Sequence, residues 1–433
     1  MITASPGHAP KTSLTVVSLL CLFFALFGPK LFEVFDLMVF VPGICFVLLV
    51  SLQRSSILEC KINRIFSMIL FFQLLILLYA LLVLLYHSSG YSYFVMRSFR
   101  TLVSSSIIFL FFYVSVRNGF LPFNAFVNAL VSVFMLGALV VYIQAFVPTT
   151  QPWFAALWGF DKGGHFLRAF GMSAGYDTMG YLLAFGACAA LGYSLQFTQT
   201  KFFYLFIFVS LSVFFTSRSS MLVLLGLILV TLFLQRRFVR LPSVKVSLVS
   251  VLVVGGAYFV VWPIILATLI YQNPAATLFG YRLSERFAVS DVPTAVSAQY
   301  FLPGSFSDVV FGMGGDVAAD PGYMSIVFYG GMVFLFVYLL FYWIMYGSMK
   351  AKVKTFAYGM YREREADCLL FLFFLFRLLL IVTVIGNLKN LYFFTRGYHE
   401  LTVILIAVFV GYWSRWNYLR GRHYLIGDRR EMN

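Results

Sequence analysis

Apolar runs long enough to cross a membrane recur along the whole sequence. A span needs roughly 20 apolar residues to cross about 30 Å of hydrocarbon. Hydrophobic residues make up 61% of the chain and charged residues only 11%. Soluble domains average about 45–50% apolar residues and about 25% charged residues. The sequence therefore predicts an all-α polytopic membrane protein, a single transmembrane domain over 1–433, with about twelve spans (ten to fourteen). The runs lie at 12–28, 31–52, 65–86, 101–116, 119–147, 175–196, 202–216, 219–235, 246–270, 323–346, 368–386 and 397–414.

Basic residues are distributed unevenly between the two sides that these spans define. With the N-terminus inside, 20 of the 31 Lys and Arg but only 6 of the 16 Asp and Glu fall on the inner side, which carries a net charge of +14. Such an asymmetry in short loops sets membrane orientation. We therefore expect both termini, a loop at 347–367 and a tail at 415–433 in the cytoplasm, with membrane lipids rather than nucleic acid as partners.

Two predicted outer loops are long. They cover 148–174 and 271–322, and the second lies between the ninth and tenth spans. Long connections without periodic apolar pattern are where function concentrates in a compact protein. We therefore expect functional residues in these loops and their flanks.

Several arginines lie on the outer side against the positive-inside bias. Arg282 and Arg286 are four residues apart, so a short helix would place both on one face. Together with Arg168 and Arg218 they predict an anion site, because the planar guanidinium suits phosphate. Alternatively, each snorkels to headgroups or pairs locally. Arg396 is a secondary candidate on the same side.

Arg377 is different because it lies in the middle of the eleventh span. A base there costs about 2.5–3.5 kcal/mol on insertion scales and must face protein or a cavity. Glu33 and Asp36 are the expected partners in a structural ion pair. Contact with a lipid phosphate is the alternative.

Acid–base candidates lie next to the outer loops. Asp320 precedes the start of the tenth span, where it either caps the helix or acts as a base, and Tyr323 follows it. Asp177, His165 and His399 are further outward candidates for proton transfer. The sequence contains no Asp-x-Asp, P-loop, HExxH or GxSxG motif, so we expect no metal and no cofactor.

Four sequence features follow one another over roughly 165–345. They are the stretch from Arg168 through Gly171 to Asp177 and Gly180, the pair Ser217 and Arg218, the pair Arg282 and Arg286, and the segment from Gly312 to Tyr323 followed by Phe328 to Gly331. In the order and spacing of these features the chain resembles bacterial O-antigen polymerases of the Wzy type and the related O-antigen ligases.

The resemblance implies a metal-independent glycosyltransferase of the GT-C type in the bacterial inner membrane. Such an enzyme moves a growing glycan from undecaprenyl pyrophosphate onto the next lipid-linked repeat unit at the periplasmic face, in lipopolysaccharide or exopolysaccharide biosynthesis. Arg168, Arg218, Arg282 and Arg286 would hold the pyrophosphate. Asp320, Asp177 and His165, in that order, are the candidates for the base. A chain-length regulator is implied as a partner.

The long outer loop also bears on which branch of the family is expected. The ligase branch typically places a catalytic histidine there, and 271–322 contains none. We therefore favour a polymerase over a ligase that transfers polymer to lipid A-core. A flippase or other transporter of lipid-linked oligosaccharide is the alternative of a different class, although transporters usually show paired repeats and short outer loops.

Overall fold

Helices make up almost all of the part of the chain that the computed structural model describes. By length and composition, six helices in this part can cross a membrane, and four shorter apolar helices accompany them. The chain is therefore a helical, multi-pass membrane protein. The described residues are 11–31, 35–52, 63–87, 93–158, 169–173, 175–235, 302–314, 322–357, 363–388 and 397–431.

Thirteen α-helices lie within the described residues. The first seven are α1 (Lys11–Phe27), α2 (Leu37–Leu52), α3 (Arg64–His87), α4 (Tyr93–Arg117), α5 (Phe123–Phe146), α6 (Gln151–Trp158) and α7 (Tyr176–Phe197). The other six are α8 (Thr200–Val213), α9 (Arg218–Leu234), α10 (Phe306–Phe311), α11 (Gly322–Ala357), α12 (Glu363–Gly386) and α13 (Tyr398–Glu431). A 3-10 turn at Pro148–Thr150 precedes α6.

Eleven of the twelve predicted runs coincide with helices, and the run at 246–270 lies outside the described residues. The second run differs at its start. Its first residues form a two-stranded hairpin, β1 (Lys30–Leu31) against β2 (Phe35–Asp36), and α2 begins only at Leu37. The Asp36 carboxylate accepts a hydrogen bond from the Met38 backbone at 3.0 Å, which caps the helix.

Several predicted loop boundaries also move, because helices continue past the apolar runs. The fourth predicted span begins at Tyr93 rather than at 101. Arg97 and Arg100, which the predicted runs leave in the loop between 86 and 101, therefore lie in α4. At the other end of the bundle, α11 continues to Ala357 and α13 to Glu431, within the predicted cytoplasmic loop and tail. The predicted outer loops contain α6 and α10.

The core of the bundle is built around α7. Of its most apolar 18-residue window, 94% is buried, whereas the figure for α3 is 33%. Small residues allow the close approach of neighbouring helices. A Cβ on Gly186 would overlap the ring of Phe134 in α5, and a Cβ on Gly192 would lie 2.5 Å from the ring of Phe374 in α12. Glycine at these positions therefore sets the distance between α7 and its neighbours.

Gly186→Ala should destabilise the protein, because the added methyl must displace Phe134. Overpacking costs about 1–3 kcal/mol, which exceeds the gain of about 1 kcal/mol from replacing glycine inside a helix. Gly226→Ala in α9 is the matched control, since nothing lies within 4 Å of its added Cβ. We expect a lower midpoint of thermal unfolding in detergent for Gly186→Ala and an unchanged or higher one for Gly226→Ala. Equal midpoints would contradict the packing of α7 against α5.

Candidate functional site

Three helices that begin at the same end of the bundle bring polar side chains together there. We call this the upper end and define it by the starts of α7, α9 and α13. Asp177 lies in the first turn of α7, and its carboxylate accepts a hydrogen bond from the Ser219 hydroxyl at 2.5 Å. Ser219 is the second residue of α9. A carboxylate and a hydroxyl from two separate helix starts thus form one polar pair.

The sequence fixes the start of α9 through its serines. Ser217 is the N-cap, and its hydroxyl accepts a hydrogen bond from the Ser220 backbone at 3.2 Å. Gly180 of α7 lies against this turn so closely that a Cβ there would overlap the side chains of Thr216 and Ser220. Because backbone N–H groups and the helix dipole favour negative charge at a helix start, this turn suits an anion.

The arginine–glycine stretch predicted from the sequence also reaches α9. The Ala169 backbone donates to the carbonyl of Phe215 at 2.9 Å, two residues before the N-cap of α9. The Gln144 side chain fixes the same stretch, because it donates to the Gly171 carbonyl and accepts from the Gly171 N–H, both at 2.9 Å. Two motifs that are about 50 residues apart in sequence therefore meet.

The start of α13 continues this polar region into the bundle. The Tyr398 hydroxyl donates to the carbonyl of Thr178 at 3.0 Å. Glu400 accepts from the Gly397 backbone at 2.8 Å and from the Ser104 hydroxyl of α4 at 3.4 Å. Tyr398 and Glu400 are buried, so these hydrogen bonds join α13 to α7 and α4 away from water.

His399 lies inside the bundle, which corrects the expectation that it faces outward. It is only 1% exposed. Its Nε2 lies 2.7 Å from the Ser105 hydroxyl and 3.2 Å from the Gln73 amide nitrogen. Since an amide nitrogen only donates, Nε2 serves as the acceptor. His399 thus connects α3, α4 and α13 and does not reach an outer surface.

A second feature of the upper end is a break in α11. Gly330 and Gly331 leave the helical conformation, and Gly331 has a φ of 67°. The carbonyls freed by the break accept hydrogen bonds from the segment after α10: Met313 donates to Phe328 at 2.7 Å and Gly314 to Tyr329 at 3.1 Å. The glycine segment at 312–314 and the segment at 328–331 are therefore in direct contact.

Side chains from α3 and α4 also contact the residues at this break. The Tyr79 hydroxyl lies 2.9 Å from the Gly330 carbonyl and 2.8 Å from the Phe311 carbonyl. The guanidinium of Arg97 lies over the ring of Tyr329, 5.8 Å from its centre. Arg97 is thus a cation at the upper end, and its contact with Tyr329 is not evident from the sequence.

Two secondary candidates have structural contacts. Tyr323 binds the end of α12, because its N–H donates to Asn387 at 3.1 Å and its hydroxyl to Val384 at 2.9 Å. The guanidinium of Arg377 lies 5.8 Å from the ring centre of Phe373. Asp36, one of its expected partners, pairs with Arg100 at 3.5 Å.

The remaining predicted site residues lie partly or wholly outside the described part of the chain. The side chain of Arg218 lies outside the described part, although its backbone begins α9. Within the described residues, no three His, Cys, Asp or Glu side chains come together as a metal site. The predicted residues that lie wholly outside the described part are His165, Arg168, Arg282, Arg286, Asp320, Arg396 and Glu33.

Comparisons with known proteins add no relative. No family model, curated protein or solved structure matches this chain.

Sequence reasoning missed several polar residues of the upper end. Ser219, Glu400 and Gln73 carry the hydrogen bonds described above but were not predicted as site residues. A usable signal existed for two of them, because a polar or ionisable residue inside an apolar run is costly unless it has a partner. Gln73 interrupts such a run in α3, and Glu400 follows His399 at the start of another.

Tyr398→Phe should weaken the junction between α7 and α13 without removing its packing. The lost hydrogen bond to Thr178 is buried, and such bonds contribute about 0.5–1.5 kcal/mol. Tyr204→Phe on α8 is the control, because Tyr204 is 67% exposed. We expect a lower midpoint of thermal unfolding for Tyr398→Phe only. If both variants unfold like the wild type, the Tyr398–Thr178 hydrogen bond does not contribute to stability.

Proposed function

We propose that this chain polymerises lipid-linked oligosaccharide repeat units, as the resemblance to O-antigen polymerases of the Wzy type implies. The observation that carries the proposal is the meeting of motifs at the upper end. Ala169, next to Arg168 in sequence, bonds to the turn before Arg218, and Asp177 bonds to Ser219 directly after it. Two segments of the fourth feature, 312–314 and 328–331, also meet each other at the break in α11. This convergence is what a shared site would require.

The proposed reaction transfers a glycan between two lipid carriers. A hydroxyl of the incoming lipid-linked repeat attacks the anomeric carbon of the growing glycan. The bond from that carbon to the oxygen of undecaprenyl pyrophosphate breaks, and the pyrophosphate leaves with the electron pair. The hydroxyl proton passes to a carboxylate or histidine. Stabilising the charge that develops on the leaving pyrophosphate would lower the barrier most.

The described residues support specific roles within this proposal. The start of α9 supplies backbone N–H groups that suit the pyrophosphate. The proposed side-chain ligands, Arg218, Arg168, Arg282 and Arg286, come from the resemblance. Of the three base candidates, Asp177 lies within the described residues. Its carboxylate is only partly buried and bonds to Ser219 at the start of α9. Asp320 and His165 remain alternative bases.

The proposal includes the membrane arrangement. In it, about twelve spans form a GT-C-like fold, and both termini lie in the cytoplasm as the distribution of basic residues requires. The upper end then faces the periplasm from the inner membrane, where undecaprenyl-linked repeats and a chain-length regulator would meet it.

A flippase or transporter is the second candidate, and the break in α11 is the observation that bears on it. Discontinuous helices with unwound backbone mark substrate sites in many transporters. Here, however, the freed carbonyls of Phe328 and Tyr329 are occupied by hydrogen bonds from Met313 and Gly314. They are therefore engaged within the chain, which favours a structural role for the break.

Deletion of the gene should distinguish the candidate functions. The measurement combines surface glycan on gels with analysis of lipid-linked intermediates. We expect surface glycan reduced to single capped repeats, which is the polymerase phenotype. Lipid-linked polymer together with bare acceptor would instead identify a ligase. Single repeats trapped on the inner leaflet would identify a flippase.

Asp177→Asn in the complemented deletion strain should abolish or shorten the polymer. Asn keeps an oxygen that accepts from Ser219, so the fold is retained while the base is lost, and a general base contributes about 10²–10⁴-fold to rate. Asp367→Asn, which removes the same charge at the other end of the bundle, should leave the length distribution unchanged. Wild-type polymer from Asp177→Asn, at normal expression, would exclude Asp177 as the base.

The arginine ligands have their own test in the same strain. Arg218→Ala and Arg282→Ala should both shorten the polymer, because each removes a proposed pyrophosphate ligand. Retained polymer length at normal expression would contradict the pyrophosphate site.

A further inference from the structure

A cavity of about 760 Å³ opens at the opposite end of the bundle, between α3, α4, α11 and α13. We call this the lower end. Three cations line the cavity, Arg64, Arg117 and Lys352, and none of its described lining residues is Asp or Glu. The positive-inside rule assigns this end to the cytoplasm. The cavity is therefore a cationic pocket, separate from the polar residues of the upper end.

The lining residues form two layers. Each of the four helices contributes two residues that are four positions apart and so lie on the same face, one turn above the other. The layer farther from the upper end consists of Arg64, Arg117, Lys352 and Asn417. The layer one turn deeper consists of Met68, Tyr113, Ser348 and Trp413. Charge thus lies at the mouth, and mostly apolar or aromatic side chains lie towards the membrane.

Local contacts hold this arrangement in place. The Asn63 side chain accepts from the Ile65 backbone at 2.9 Å, which caps the start of α3 beside Arg64. Its amide nitrogen donates to the Ser414 hydroxyl of α13 at 3.4 Å. The ammonium of Lys352 lies over the Trp413 ring at 5.8 Å. A helix start and three cations therefore line one cavity, which favours an anion.

We propose that this cavity binds the phosphate of an anionic phospholipid headgroup in the cytoplasmic leaflet. The mouth supplies guanidinium and ammonium groups for the phosphate, while the deeper layer matches the glycerol and the first acyl carbons. The outer face of α3 continues the apolar path, because Phe71 is 62% exposed one turn beyond this layer. A free phosphate ion is also negatively charged but has no apolar part to contact the deeper layer.

The test measures lipid binding to the purified full chain in detergent by native mass spectrometry. The probes are phosphatidylglycerol, phosphatidylcholine with the same acyl chains, and inorganic phosphate. The test variant is Arg64→Gln with Lys352→Gln. The matched control is Lys350→Gln with Lys354→Gln, which removes the same charge from exposed positions on α11 that do not line the cavity.

We expect wild type and control to bind phosphatidylglycerol more tightly than phosphatidylcholine. The test variant should bind phosphatidylglycerol about fivefold more weakly for each cation removed, which corresponds to about 1 kcal/mol per cation near the surface. Arg64→Gln alone, at an exposed position, serves if the double variant does not fold, with about fivefold loss expected.

Three results would overturn the proposal. Equal binding of phosphatidylglycerol to the test variant and the control would remove the cavity as the site. Equal affinity of the wild type for the two lipids would remove recognition of the anionic headgroup. Displacement of phosphatidylglycerol by millimolar inorganic phosphate, lost in the test variant, would identify free phosphate as the ligand. A failure of this proposal is distinguishable from a failure of the proposed polymerase, because the described residues of that proposal, Asp177 and the start of α9, lie at the upper end.

Discussion

Within a bilayer, every backbone N–H and C=O must find its partner inside the protein, and this constraint governs the whole chain. Continuous helices meet it by themselves, whereas the break at Gly330–Gly331 frees the carbonyls of three buried residues, Phe328, Tyr329 and Gly330. Hydrogen bonds from Met313, Gly314 and Tyr79 satisfy them. The end of the long predicted loop is therefore part of the membrane domain, since α11 cannot break there without the segment that follows α10.

Buried side chains obey the same constraint. His399 and Glu400 are tolerated in the interior because Ser105, Gln73 and Ser104 pair with them. Asp177 differs, because it is only partly buried and its partner lies at the start of another helix. The paired interior groups hold helices together, whereas Asp177 is half-buried at the edge of the same polar region and is bonded there to Ser219. This difference in exposure is why the proposed function assigns a base role to Asp177 rather than to His399.

Hydropathy predicted most of the described helices but not their ends. Eleven of them follow from apolar length alone, whereas α6 and α10 lie in the predicted outer loops. The helix α4 begins eight residues before its predicted span because Arg97 and Arg100 find partners in Tyr329 and Asp36. The sequence indicated Asp177 as a site candidate but not its hydrogen-bond partner Ser219. Asp177 has a carboxylate next to a helix start as its signal, while Ser219 gains its role only from the crossing of α7 and α9, which glycine at 180 permits.

The two ends of the bundle are chemically distinct, although the same helices connect them. Arg97 and Arg117 both belong to α4, and 20 residues at about 1.5 Å each separate them by about 30 Å, the thickness of the hydrocarbon. One phosphate group cannot contact both. A pyrophosphate at the upper end and a phospholipid headgroup at the lower end would therefore be separate ligands in opposite leaflets. Because α4 and α13 contribute to both places, the lower ligand would steady the two helices on which Glu400 and Ser104 position the upper polar region.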